Sequence, residues 1–224
     1  MRITLVAATQ MEVQPLLDFF AAEKTEKSDL WKVDDNLHIL ITGMGMLNTA
    51  AHLAIYTQQH DRDFYIDAGV CGAFNRNFPI GQVYQIISET YGDFGVENDD
   101  TFEDFFDLGF LKKKEDAFQY GHCAPIKNHV HDIINLPVAS AITVNKVHGN
   151  VQTIKIIQEK YQADTENMEG LAFYYVLKMV NKPGIEIRAV SNYVEKRNKE
   201  NWDLKGSVAN LNTYLIQLLQ TLRL

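Results

Sequence analysis

The chain of 224 residues is 46% hydrophobic and 22% charged, with a formal net charge of −8. Its lysines and arginines are scattered rather than massed, which argues against a nucleic-acid partner held by phosphate neutralisation. The length suits one α/β domain over 1–224, and no run approaches the roughly 20 apolar residues needed to cross a bilayer.

Ile3 to Ala8 is a continuous apolar run, the pattern of a strand buried on both faces. With Gln10 and Glu12 close behind, it reads as a core strand rather than a signal peptide. Val13, Leu16, Leu17 and Phe20 recur at helical spacing. Leu37 to Ile41 is a second strand, ending in Thr42-Gly43-Met44-Gly45, and Leu47, Ala50, Ala51, Ala54 and Ile55 mark the next helix. Asp63 to Asp67 reads as a short strand entering a turn at Gly69-Val70-Cys71-Gly72, and Val83 to Ser88 is strand-like. Residues 91–122, acidic and aromatic without a sustained period, read as a long surface excursion. Strand character returns over Leu136 to Thr143. A helix near 151–160, a strand near 162–166, a helix over 168–180 and a strand over 184–190 follow. Val208, Leu211, Leu215, Leu218, Leu219 and Leu222 give an amphipathic terminal helix. This alternation predicts a three-layer α/β/α fold with a mixed, mostly parallel central sheet.

Cys71 and Cys123 stand in separate contexts with no CxxC spacing, so a reducing, cytoplasmic setting is expected. The seven histidines give no metal pattern, and His148 reads as structural or solvated. No metal and no cofactor are expected. A serine hydrolase elbow is absent, as are a GxGxxG fingerprint and a Walker loop.

The chemistry concentrates at predicted strand ends and helix starts, where α/β folds bind ligands. Asn167-Met168-Glu169-Gly170 puts a carboxylate at a helix start, able to grip a ribose diol. Arg188-Ala189-Val190-Ser191-Asn192 puts a hydroxyl and a carboxamide at a strand end, able to read a heterocycle's edge. Glu12, opening the first helix, is either a helix-start acid or a general base. The two glycine clusters serve equally as tight turns or as places where a ligand meets the backbone.

Taken in order, these segments resemble the nucleoside phosphorylase and nucleosidase superfamily, in the branch of methylthioadenosine/S-adenosylhomocysteine nucleosidases and futalosine hydrolases. The matching segments are Ala8 to Val13, Gly43-Met44-Gly45, Gly69 to Gly72, Met168-Glu169 and Arg188 to Asn192, spanning almost the whole chain. Adenine-specific members carry Asp where this chain has Asn192. An amide can donate to N7 or O6 of a 6-oxopurine, and its carbonyl can accept from a ring N–H, which points to hypoxanthine or guanine. Phosphorolytic members present arginines where this chain reads Ala7-Ala8-Thr9-Gln10 and Phe64-Tyr65-Ile66-Asp67-Ala68, so water is the expected nucleophile. The segments Tyr91 to Glu97, Phe106 to Phe110, Thr143 to Gly149 and Ser191 to Asn198 resemble futalosine hydrolases.

The resemblance implies cleavage of futalosine to hypoxanthine on a route to menaquinone. Glu12 would activate water, Glu169 would hold the ribose, and Asn192, fixed by Ser191, would hold the base. Cys71, Gly72, Val144, Asn145 and Met168 would surround the substrate, and Arg197 or Lys196 would meet a carboxylate on its 5′ extension. The expected partners are a small nucleoside and further copies of the chain, as a homodimer, with no nucleic acid and no membrane. A purine nucleoside phosphorylase, a methylthioadenosine/S-adenosylhomocysteine nucleosidase and a non-catalytic nucleoside-binding or storage protein are the alternatives. The last would be expected to have lost one of the two acids.

Overall fold

The computed structural model describes residues 1–223 except 27, 28, 100, 116 and 120. In chain order the elements are β1 (Ile3–Ala7), α1 (Gln10–Phe19), β2 (Glu23–Lys24), β3 (Leu30–Lys32), β4 (Leu37–Ile41), α2 (Met46–Gln59), β5 (Phe64–Ala73) and β6 (Val83–Tyr91). They continue with β7 (Gly95–Asn98), β8 (Thr101–Asp104), β9 (Lys114–Glu115), β10 (Phe118–Gln119), β11 (Val138–Thr143), α3 (Val151–Tyr161), β12 (Thr165–Asn167), α4 (Gly170–Met179), β13 (Gly184–Tyr193) and α5 (Leu204–Leu222).

Among the described residues, nine strands form one mixed sheet in the order β12-β11-β6-β13-β5-β1-β4-β3-β2. The neighbours β4, β1, β5 and β13 run parallel, whereas β13 lies antiparallel to β6. β12 pairs parallel with β11 and also folds back antiparallel onto the end of β5, with Thr165 opposite Ala73 and Glu166 opposite Gly72. Part of the sheet therefore closes on itself.

Successive residues of the buried strands supply opposite faces. Leu5, Ile39, Ile66 and Ile187 pack against Val13, Leu16 and Leu17 of α1 and Leu211, Leu215 and Leu219 of α5. Val6, Leu40 and Tyr65 meet Leu53 and Tyr56 of α2 and Leu171, Phe173, Tyr174 and Leu177 of α4 on the other side. Each such leucine contributes about 1.5–3 kcal/mol by leaving water. The result is the expected α/β/α architecture. No helix among the described residues is long and apolar enough to cross a membrane.

Two readings change. The stretch 69–72 is not a turn but the second half of β5, a continuous strand from Phe64 to Ala73. Gly69 occupies a strand because a Cβ there would overlap Arg188 Nη1. Gly43 and Gly45 do form a tight turn, with φ of +85° and +90°. The excursion over 91–122 contains two small hairpins, β7 with β8 and β9 with β10, whose strands are too short to give a period. Residues 100, 116 and 120 of that excursion lie outside the described residues.

Candidate active site

A cavity of about 380 Å³ opens at the ends of β1, β5, β12 and β13 and the starts of α1 and α4. Glu12, Glu169 and Asn192 all line it, as do Cys71, Gly72, Met168 and Ser191.

Glu12 is the third residue of α1 and buried. Its Oε2 accepts from Thr9 N at 3.0 Å and Thr9 Oγ1 at 2.8 Å, and its Oε1 accepts from Val70 N at 3.2 Å. The bond to Thr9 N closes a helix-start capping pattern, so Glu12 is both a cap and a site residue. Burial raises its pKa, against the pull of Arg188 and of the Thr9 hydrogen bond.

Glu169 sits at the N-cap of α4. Asn167 Oδ1 takes the N–H groups of Glu169 and Gly170 at 3.0 and 2.8 Å, so capping of the helix falls to Asn167 and the Glu169 carboxylate is left for other work. That carboxylate accepts from Gly45 N at 3.0 Å, which ties the Gly43–Gly45 turn to the site.

Beneath both acids lies Arg188, fully buried. Its Nε donates to Glu186 Oε1 at 2.8 Å, Nη2 donates to Asp67, and Nη1 reaches Glu169 Oε2 at 3.5 Å. Burial works against its charge, but Asp67, Glu186 and Glu169 together hold its pKa well above the ordinary value. Burial pushes Asp67 and Glu186 well above the usual carboxylate range and Glu89 up to about 7. The layer behind the site thus holds protons as well as charge. The arginine and Asn167 were visible in the sequence, but the buried acids Asp67, Glu89 and Glu186 around them were not, because β5, β6 and β13 bring them together only in the fold.

Asn192 owes its position to a bulge. Val190 lies opposite Cys71 and Asn192 opposite Gly72, so Ser191 is the extra residue of β13. Ser191 Oγ lies 2.8 Å from Asn192 Oδ1 and 3.2 Å from the Cys71 carbonyl, and Asn192 Nδ2 donates to the Tyr193 carbonyl at 2.9 Å. The carbonyl of Asn192 therefore faces Ser191, and one amide N–H is left over. Buried Cys71 has its thiol pushed up to about 12 by desolvation, far from a reactive thiolate.

Val144 and Asn145 are not brought to the cavity. The Val144 side chain joins the apolar cluster of Ile142, Ile154 and Ile157, and Asn145 N donates to Asp93 Oδ2 at 2.6 Å. Arg197 lines the cavity with Trp202, its guanidinium 5.5 Å from the indole, whereas Lys196 does not line it. His148 departs from the solvated reading: its side chain is 4% exposed and its Nδ1 lies 2.6 Å from Glu166 Oε2. Both residues line the cavity. Glu166 stands directly before the Asn167-Met168-Glu169 motif, a signal that could have found it.

A family profile described as the phosphorylase superfamily matches residues 2–222. The futalosine hydrolase of Streptomyces coelicolor is 25% identical over 221 residues, covering 94% of this chain and 92% of the relative. The futalosine hydrolase of Thermus thermophilus is 26% identical over 184 residues, 80% of each chain. The fold is shared with a 5′-methylthioadenosine/S-adenosylhomocysteine nucleosidase from Neisseria meningitidis in complex with methylthio-immucillin-A, at a TM-score of 0.80, 14% identity, and coverage of 98% of this chain and 99% of that one. Matched along nearly its whole length, the chain belongs to the phosphorylase superfamily.

Proposed function

We propose that this N-glycosyl hydrolase cleaves futalosine, releasing hypoxanthine, as a step toward menaquinone. One observation carries the reading: two buried acids and an amide, Glu12, Glu169 and Asn192, share a single cavity. The similarity to two futalosine hydrolases supports the choice of substrate.

Breaking the glycosidic bond builds positive charge on the ribose and sends electrons into the purine. Glu12, anchored by Thr9 and Val70, takes a proton from the attacking water. Glu169 accepts from the ribose hydroxyls, and its charge favours the cationic sugar of the transition state. The free N–H of Asn192 stabilises electron density at N7 or O6, with Ser191 fixing the amide. An asparagine supplies no proton, and hypoxanthine, a better leaving group than adenine, tolerates that. Arg197, at the cavity wall beside Trp202, meets a carboxylate on the 5′ extension.

The chain works as a homodimer. Met44 lines the cavity at 65% exposure, and nearby Leu47 of α2 is 82% exposed, apolar surface suited to burial against a second copy.

Chromatography of the purified protein with futalosine, inosine and methylthioadenosine, each with and without phosphate, tests the reading. Hypoxanthine is expected from futalosine without phosphate. Adenine from methylthioadenosine in its place, or a requirement for phosphate, would overturn it.

A further inference from the structure

We propose that Glu166, held in place by His148, accepts the ring N–H of the departing base and sets the preference for 6-oxopurines over 6-aminopurines. This rests on the nucleosidase function above and extends it to residues with no part in the water or ribose chemistry.

Glu166 and His148 form a buried pair in the cavity wall. The His148 main-chain N–H donates to Glu166 Oε1 at 3.1 Å and the ring Nδ1 lies 2.6 Å from Oε2. A carboxylate only accepts, so the ring presents Nδ1–H to it, which fixes both the tautomer and the orientation of the acid. The two side chains satisfy each other in the buried cavity wall. Glu12 and Glu169 are tied to the Arg188 cluster at the helix starts, whereas Glu166 lies on the seam where β12 pairs with β5, opposite Gly72.

That seam is where Asn192 also arrives. A carbon one bond above the Gly72 Cα would lie 3.3 Å from Asn192 Nδ2 and 3.6 Å from Glu166 Cγ. The Asn192 amide and the Glu166 side chain thus flank one spot at Gly72, and both residues line the same cavity, on one side of a single purine edge. A 6-oxopurine presents there N7 and O6 as acceptors and N1–H as a donor. A 6-aminopurine presents an amino donor and a bare N1 acceptor. The free N–H of Asn192 suits N7 or O6, while its carbonyl takes Ser191 Oγ. The Glu166 carboxylate, whose oxygens each keep a lone pair beyond their His148 bonds, takes N1–H. Against the N1 lone pair of a 6-aminopurine the same carboxylate is a mismatch, and a buried mismatch of this kind is worth about 100-fold or more.

The test measures kcat/KM on futalosine, its N1-methyl derivative and its 6-amino counterpart for the wild type, Glu166→Gln and Glu166→Ala. N1-methylation removes the donor and should lower the wild-type value about 100-fold; this comparison needs no variant to fold. In Glu166→Gln the carbonyl stays on the His148 main-chain N–H, the His148 ring takes its other tautomer to accept one N–H of the new NH2, and the second N–H is offered to the base. The ratio of 6-amino to 6-oxo cleavage should therefore rise at least 100-fold. Glu166→Ala should cleave futalosine poorly and lose most of the methyl penalty. His148→Gln should act chiefly on KM, as expected of a positioning residue. A wild type indifferent to N1-methylation, or variants that keep the wild-type preference while cleaving futalosine, would overturn the role of Glu166 and leave the function standing. Failure of the wild type to release hypoxanthine from futalosine would overturn both.

Discussion

Asn212 and Glu12 lie 200 positions apart in sequence, yet Asn212 Nδ2 donates to the Glu12 main-chain carbonyl at 2.8 Å. The same carboxamide accepts from Leu16 N at 3.0 Å through Oδ1. The Glu12 carbonyl and the Leu16 N–H are the two groups an uninterrupted α-helix joins directly. Here Pro15 sits inside α1, and a buried side chain from α5 bridges them. The helix bearing the proposed base is thereby clamped to the C-terminal helix.

Asn212→Ala should therefore lower both stability and turnover. Leaving two buried backbone groups unpaired costs about 2 kcal/mol or more. Chemical denaturation should show the loss, and kcat should fall with little change in KM because Glu12 is misplaced. An unchanged kcat would separate the clamp from catalysis.

The pH profile should report Glu12. Its carboxylate must be ionised to accept a proton, and burial raises its pKa. The acid limb of kcat/KM is accordingly expected above the usual carboxylate range. Thr9→Val removes a hydrogen bond that holds the pKa down and should move that limb further up. Glu12→Gln should abolish measurable turnover, a loss of about 10²-fold or more, while sparing binding by calorimetry.

Gly69→Ala should be poorly tolerated although the position is an ordinary strand residue. The added carbon would overlap Arg188 Nη1 and crowd Glu12 Oε1. Displacing a buried, paired arginine costs about 3–5 kcal/mol. Full stability in urea would show that the strand can shift aside.

Stability should also depend on pH through the acids behind the site. Glu89 titrates at about 7 when folded, against 4.5 in the free side chain, because it is buried. Between those values the folded chain keeps a proton that the unfolded chain releases. Its contribution is full below about 4.5 and fades as pH rises toward about 7, with Asp67 and Glu186 acting in the same sense. Urea midpoints at pH 5 and pH 8 should differ by less in Glu89→Gln than in the wild type.

The fold was legible wherever an element is long and buried. Leu37 to Ile41 and the α5 leucines carry their period openly, since a strand covered on both faces and a helix covered on one leave no freedom in composition. β5 was misread at Gly69 and Gly72 because those glycines answer to Arg188, Asn192 and Val194, partners that topology supplies and local sequence does not announce. Glu12, Glu169 and Asn192 could be chosen from the sequence since Glu12 follows an apolar strand, Glu169 opens an apolar helix and Asn192 lies at the end of an apolar strand. Asn212 could not, because it acts across the whole chain; Glu166 stands beside a legible motif, but its pairing with His148 depends on a loop that returns His148 to β12. Val144 drew attention through a motif, yet its side chain serves the core.

The double pairing of β5, with β13 along one side and with β12 at its end, has a bearing on how the enzyme dies. Gly72 and Glu166 are partners in that closing contact and also walls of the cavity. Heat cannot fray this wall of the site while leaving the sheet intact, as it can when a binding pocket is carried wholly on a loose flap. Loss of activity on heating should coincide with the loss of the sheet itself, a single cooperative failure with no long-lived folded but inactive form before it.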